Sequence, residues 1–278
     1  MATSSTELSV PWRPVTWRES AEIYNHLHFF TPSLEVLRIL LHGPTGAGKS
    51  CFINSVQRIL LGRNAIGALE QTARTGASFT RMIKTHRLKR SGGGRYPFVF
   101  CDIMGLEPED AGGIQTEDII SVLEGRISDG YTFNPLSPIT ADSPKYNRYP
   151  HPCHKVHCLV SILPADSIAR MSDKVIDKMK TIRQKAAQMG MPQVVIMTKV
   201  DEACELVNRD LRKVYQSKKI KEKVQECSNK LGIPLNCIYP VKNYHAEITQ
   251  DADVDVLILM ALRDILNFAN DYVEDLYE

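Results

Sequence analysis

This 278-residue sequence predicts an α/β fold, a mainly parallel six-stranded sheet with helices on both faces. Three observations carry that expectation. Apolar runs of strand length alternate with stretches whose apolar residues recur at helical spacing. The runs are oily along their length, as strands covered on both faces are. A glycine-rich turn, "GPTGAGKS", joins the first run to a helix, in a fold whose ligands gather at the carboxyl edge of the sheet.

The elements follow in order. Residues 1–10 are small and polar and read as disordered. "PWRPVTW" comes next, with Trp12 and Trp17 close to an expected helix over 18–30. This segment is expected to pack back as a brace, dividing the chain into residues 1–33 and a nucleotide-binding domain over 34–278. "VLRILLHG" reads as a buried strand, and 49–61 as a helix with apolar spacing at Phe52, Ile53, Val56, Ile59 and Leu60. A strand is expected to begin near Phe79, and further strands over 98–101, 156–163, 194–197 and 236–241. Helices are expected over 116–123, 172–189, 206–231 and 254–276. Residues 126–152 break the rhythm, with prolines at 135, 138, 144, 150 and 152 and little periodicity. They read as an inserted loop, either a partner surface or a mobile insertion without a role.

Composition narrows the classes. At 43% hydrophobic and 24% charged residues the chain is ordinary for a globular protein, and a net charge of +2 gives no general case for nucleic-acid or membrane attraction. Seven cysteines, an odd number scattered along the chain, fit free thiols in a reducing, cytoplasmic compartment. The opening residues lack a signal peptide's basic start and apolar core. The longest oily run, 256–262, falls far short of the roughly 20 residues of a membrane span. No myristoylation glycine follows Met1, and "DLYE" offers no prenylation cysteine.

The chemistry lies in three motifs. "GPTGAGKS" fits G-x-x-x-x-G-K-[ST], in which amides from Thr45, Gly46, Ala47, Gly48, Lys49, Ser50 and Cys51 converge on an anion at a helix start. Lys49 would meet the β- and γ-phosphates, and the Ser50 hydroxyl would ligate Mg²⁺. In "DIMGLE", Asp102 would hold the metal through water and the Gly105 amide would contact the γ-phosphate. A first switch loop should add a threonine to the metal; Thr72, Thr75 and Thr80 are available, and Thr75, beside Gly76, is preferred. In "TKVD", after another oily strand, the Asp201 carboxylate can accept guanine N1–H and the exocyclic amine while the Lys199 stem covers the ring and Thr198 stands at the strand end. Adenine would leave that carboxylate unpaired. A last base loop should follow the 236–241 strand, with Lys242 and Asn243 as candidates. The cofactors expected are therefore GTP or GDP with Mg²⁺.

Taken together, "PWRPVTW", "ILLHGPTGAGKSCFINSV", "DIMGLE", "YTFNPLSPI", "TKVD", "VKNY" and "DVLILMALRDILNFANDYVEDL" resemble the interferon-induced protein 44 and 44-like family, from Pro11 onward. The resemblance implies a cytoplasmic, interferon-inducible protein with a three-layer, Ras-like P-loop domain that binds GTP, linked to antiviral and innate immune responses. Some relatives carry a longer N-terminal domain, whose role is not carried over.

Leu106 stands where Ras-like enzymes carry a water-orienting glutamine. An aliphatic group cannot align water, so hydrolysis by the isolated chain should be on the order of 10⁻³ s⁻¹ or slower. Glu107 or Gln115 could stand in, though a solvent-facing polar side chain describes either better; a protein effector, or a second copy across a nucleotide-dependent homodimer, is another source of the missing group. A slow GTPase switch and a GTP-binding scaffold without turnover both stay open. Elsewhere, "HPCHKVHC" groups His151, Cys153, His154, His157 and Cys158. Were residues from 155 onward a strand, His154 and Cys158 would lie about 13 Å apart, too far to share zinc. "RMIKTHRLKRSGGGR" reads as a solvated basic hairpin, with nucleic acid or acidic lipid as the alternatives and no aromatic stacking pattern beside it. "KKIKEK" reads as the wet face of a helix.

Overall fold

In a computed structural model describing residues 6–65, 81–109 and 113–277, six strands form one sheet. They are β1 (Leu37–His42), β2 (Lys84–Lys89), β3 (Arg95–Asp102), β4 (Cys158–Pro164), β5 (Gln193–Thr198) and β6 (Ile238–Pro240), in the order β2-β3-β1-β4-β5-β6. All pairings are parallel except β2 with β3, the basic hairpin. Burial follows from place: every residue of β4 is buried, whereas β2 at the margin alternates between exposed and covered side chains.

Among the helices, α1 (Ser20–His28) packs on α8 (Ala252–Tyr277), which also meets α2 (Lys49–Leu61), β1 and β4. A second group joins α3 (Thr116–Leu123) to α4 (Asp173–Gln188), and α4 to α7 (Lys218–Leu231) and β5. The apolar spacing of α2 is used directly, with the Phe52 ring edge-on to Phe100 of β3 at 6.0 Å.

Several expectations need correction. The helix expected over 206–231, which a short helix α5 (Val200–Ala203) precedes, is broken into a short helix α6 (Glu205–Arg209), a 3-10 turn over Leu211–Tyr215, and α7. Two capping side chains impose the breaks: Asp210 accepts from the Arg212 amide at 3.0 Å, and Ser217 accepts from the Ile220 amide at 3.2 Å. The strand expected near Phe79 begins at Lys84, and Phe79 itself lies outside the described residues. The last strand shrinks to Ile238–Pro240, because a 3-10 turn over Leu235–Cys237 occupies its start. Of the segment expected to be disordered, residues 1–5 lie outside the described residues, but residues 6–8 are paired: the Leu8 amide donates to Gln216 O at 2.7 Å and the Lys218 amide to Thr6 O at 3.1 Å.

Nor is the insertion a structureless loop. Residues 130–133 run antiparallel to 81–83, with Gly130 N–H donating to Ile83 O at 3.0 Å, Ile83 N–H to Tyr131 O at 2.9 Å and Phe133 N–H to Arg81 O at 2.9 Å. Further along the same margin, the Thr85 amide donates to Asp129 Oδ1 at 2.9 Å and the Arg95 guanidinium to Arg87 O at 2.7 Å. The base of the insertion closes on itself through Ser128 N–H to Lys145 O at 3.0 Å and Asn147 N–H to Arg126 O at 2.7 Å.

Candidate functional site

The turn between β1 and α2 lies at the carboxyl edge of the sheet, in the middle of the strand order. Gly48 holds φ +95°, and a Cβ there would come 3.0 Å from Asn243 Nδ2. Glycine therefore serves both the turn's conformation and the approach of a neighbouring loop. Lys49 is buried and donates to Gly43 O at 3.2 Å and Pro44 O at 3.0 Å, so its ammonium group lies over the turn. Burial pushes its pKa down, and the carboxylates of Asp102 and Glu107 oppose that shift. Ser50 Oγ donates to Asp102 Oδ2 at 2.8 Å. The two side chains expected to face Mg²⁺ are thus adjacent, and both offer the oxygen donors that a hard cation takes. Cys51 is half-buried in the first turn of α2. The Thr45 and Ala47 amides are engaged by Leu106 O and Pro44 O, both at 3.3 Å.

The residues after β3 are zipped to this turn. The Leu106 amide donates to Gly43 O at 3.0 Å, and a Cβ on Gly105 would fall 2.3 Å from Thr45 Oγ1. The Leu106 side chain is buried in the apolar core at 1% exposure, which accounts for an oily residue in that place. Gln115 donates to Pro135 O, so it is committed to the insertion. Thr75, with Thr72 and Thr80, lies outside the described residues.

The base-loop candidates converge on the same turn. Thr198 is fully buried and donates to Ala47 O at 2.7 Å. Lys199 holds φ 59°, its ammonium 3.8 Å from Glu202, and Asp201 is half-buried beside it. Asn243 donates to Gly48 O at 3.2 Å. Lys242 donates to Glu247 Oε1 at 2.7 Å, which directs its charge into the loop. Burial opposes ionisation of Glu247, but the His245 amide and Lys242 outweigh it and bring its pKa down to about 2.

Three buried side-chain oxygens around the turn have no hydrogen-bond partner among the described residues, Thr45 Oγ1, Asp102 Oδ1 and Asn243 Oδ1, and His42 Nδ1 beneath it is likewise unpartnered. Buried polar groups are almost always satisfied, so such a cluster marks where a polar ligand would sit.

Sequence reasoning missed the supports. His42 ends β1 beneath the turn, pairs with Ser161 Oγ at 2.7 Å, and is driven to a pKa of about 3 by burial and by Lys49. Its signal was a polar residue closing an oily strand. Arg58 lies 4.1 Å over the Tyr244 ring and donates to Glu247 O and Thr249 O, holding the last loop against α2. Ser55 adds a bond from the Tyr244 amide at 2.9 Å. In the histidine-rich stretch, β4 runs over Cys158–Pro164, two residues later than the start of the strand expected over 156–163. Both His157 nitrogens are used structurally, on the Arg38 amide at 2.9 Å and Pro152 O at 3.2 Å.

A glycine-rich strand-to-helix turn, with its lysine and serine at the edge of a mostly parallel sheet, defines a P-loop α/β protein. Human interferon-induced protein 44 is 37% identical over 244 residues, human interferon-induced protein 44-like 34% over 241, and mouse interferon-induced protein 44 33% over 240. Across those matched residues the chain is similar to interferon-induced protein 44 and its 44-like relative. The matches take in 86–87% of this chain and 53–56% of each relative, so the chain spans about half the length of the curated relatives it matches. No family model matches the chain. Among solved structures, a probable GTP-binding protein engB aligns at 12% identity and TM-score 0.43, over 84% of this chain and 99% of that one. A point variant of Aquifex aeolicus Era bound to GDP.AlF4⁻ aligns at 15% identity and TM-score 0.42, over 75% and 52%.

Proposed function

We propose that this chain binds guanine nucleotide with Mg²⁺ in a Ras-like, three-layer P-loop domain, and that it is an interferon-induced, cytoplasmic protein of antiviral and innate immune responses. The observation that carries the nucleotide reading is that Thr45, Asp102 and Asn243, all held at the turn crowned by Lys49, each keep a buried side-chain oxygen without a partner among the described residues. In this reading the turn from Thr45 to Cys51 cradles the phosphates, Ser50 and Asp102 hold the metal, and Gly105 lies at the γ-phosphate. Thr75 completes the metal's ligands from the first switch. Asp201 accepts the guanine edge, Lys199 covers the ring, and Thr198, Lys242 and Asn243 shape the base loop. Bound Mg²⁺ would supply charge neutralisation at the phosphates.

A second reading, a scaffold that binds GTP without turnover, is favoured by the buried Leu106 side chain, which offers nothing to orient water. Both readings leave a protein effector, or a nucleotide-dependent homodimer, as the partner.

Calorimetry with GTP, GDP and ATP, with and without magnesium, tests the shared claim. Guanine nucleotides should bind with magnesium-dependent heat and ATP should not, Lys49→Ala should abolish binding, and Asp201→Asn should shift preference toward xanthine nucleotides. Equal affinity for ATP and GTP, or wild-type binding by the Lys49 variant, would remove the assignment.

A further inference from the structure

The insertion touches two places, and on the nucleotide reading both answer to the terminal phosphate. Its first attachment is the pairing of 130–133 with 81–83, the residues that directly follow the segment expected to carry the first switch. Its second attachment is on α3, which follows the Asp102-x-x-Gly105 loop. There Gln115 donates to Pro135 O, and the Ile139 amide donates to Asp118 Oδ1 at 2.7 Å. Asp118 is fully buried in the first turn of that helix, and just before it the Ile114 amide returns to Gly105 O at 3.3 Å. Only the short stretch from Phe133, itself buried, to Pro135 separates the two attachments, and Ile139 extends the second. The Tyr131 and Phe133 rings pack edge-to-face at 5.4 Å, and the base is closed by the 128–145 and 126–147 bonds, so the unit is braced internally.

We propose that residues 126–147 act as a clamp that joins residues 81–83, which follow the expected first switch, to α3, which follows the Asp102-x-x-Gly105 loop, so that a change at either one is carried to the other. The proposal rests on the guanine-nucleotide reading for what drives the clamp, but not for the coupling itself. A loop fastened at one point follows only that point. A short, internally bonded segment fastened at two transmits displacement, because neither attachment can move without stretching or breaking the other's hydrogen bonds.

Hydrogen–deuterium exchange on the full chain tests both parts. Asp118→Ala removes the acceptor for Ile139 and should raise exchange over 137–141 by about tenfold or more, with a rise also over 130–133 and 81–85. Asp118→Asn, which keeps the acceptor, should restore protection at all three. If 81–85 and 130–133 exchange as in the wild type while 137–141 loosens, the coupling is refuted. Protection of β4 and β5 reports whether the variant remains folded; if it does not, Gln115→Ala, which removes the bond to Pro135, replaces it with the same criterion.

In the second part, a non-hydrolysable GTP analogue is compared with GDP, with protection of residues 44–51 marking occupancy. The three clamp segments should shift together between the two nucleotides. Identical exchange despite a protected turn would overturn the nucleotide-driven clamp. A turn protected by neither nucleotide would instead refute the nucleotide reading, and the variants alone would then decide the coupling.

Discussion

Asp118 sits fully buried, and burial pushes its pKa up to about 6 despite the Ile139 amide that favours the ionised form; the Glu117 charge adds to the rise. A carboxyl raised in the fold stabilises it in full below its ordinary value of 3.8, and the contribution is lost as pH rises through about 6. Across that window the wild type should lose roughly 1–3 kcal/mol relative to Asp118→Asn, which has no proton to release. Denaturant unfolding of both proteins at pH 4, 5, 6 and 7 measures this, and parallel curves would contradict it. Glu247, whose pKa is lowered, acts in the opposite direction at more acid pH and cancels in the difference. Residues of this kind explain what was legible in the sequence. Lys49, Ser50, Asp102 and Thr198 stand in patterns that chemistry fixes at set spacing, and they lie together here. Asp118 and Arg58 were not legible, because a charged residue on a helix reads as solvent-facing until tertiary contacts bury it.

At the scale of elements, the segment before α1 is bound closely to the turn preceding α7. Trp12 meets Tyr215 edge-on at 4.9 Å and its amide donates to Tyr215 O at 2.9 Å. The Arg13 guanidinium donates to Ile238 O at 2.7 Å and to Leu235 O, and lies 5.1–5.8 Å from the rings of Trp12, Tyr215 and Tyr239. We propose that this is the brace expected of residues 1–33. Arg13→Ala should destabilise the chain by about 1–3 kcal/mol, from charge-assisted bonds to carbonyls and cation–π contact. Lysine should rescue little of that, since it lacks the planar fork. An unchanged urea midpoint for Arg13→Ala would show the contacts to be incidental. Element type was legible wherever periodicity was strong, and α2 and α3 match the expected bounds. The helix expected over 206–231 was not read correctly, because apolar spacing continued through it while Asp210 and Ser217, both good caps, interrupted the backbone. Proline-rich composition likewise concealed the ordered insertion, whose bonds run to residues distant in sequence.

For the whole molecule, the two readings of turnover differ in how rate depends on concentration. Hydrolysis by the isolated chain under single-turnover conditions is expected on the order of 10⁻³ s⁻¹ or slower, as for unassisted switches. A rate that climbs with excess protein selects assistance by a second copy, a flat rate at that level selects a slow unassisted switch, and no detectable hydrolysis selects the scaffold. Turnover near 1 s⁻¹ or above by dilute protein would show that some other side chain orients the water.

The margin of the sheet has a consequence of its own. A sheet that ends in a bare strand offers unspent donors and acceptors to any neighbour able to lie alongside. Here that rim is stoppered from within: Tyr131 O and Asp129 take up the Ile83 and Thr85 amides, Arg95 caps Arg87 O, and charged side chains at Lys84, Arg87 and Lys89 stand exposed along the strand. Growth of the ladder beyond β2 would first require prising out the chain's own plug, so molecules crowded together meet a finished border.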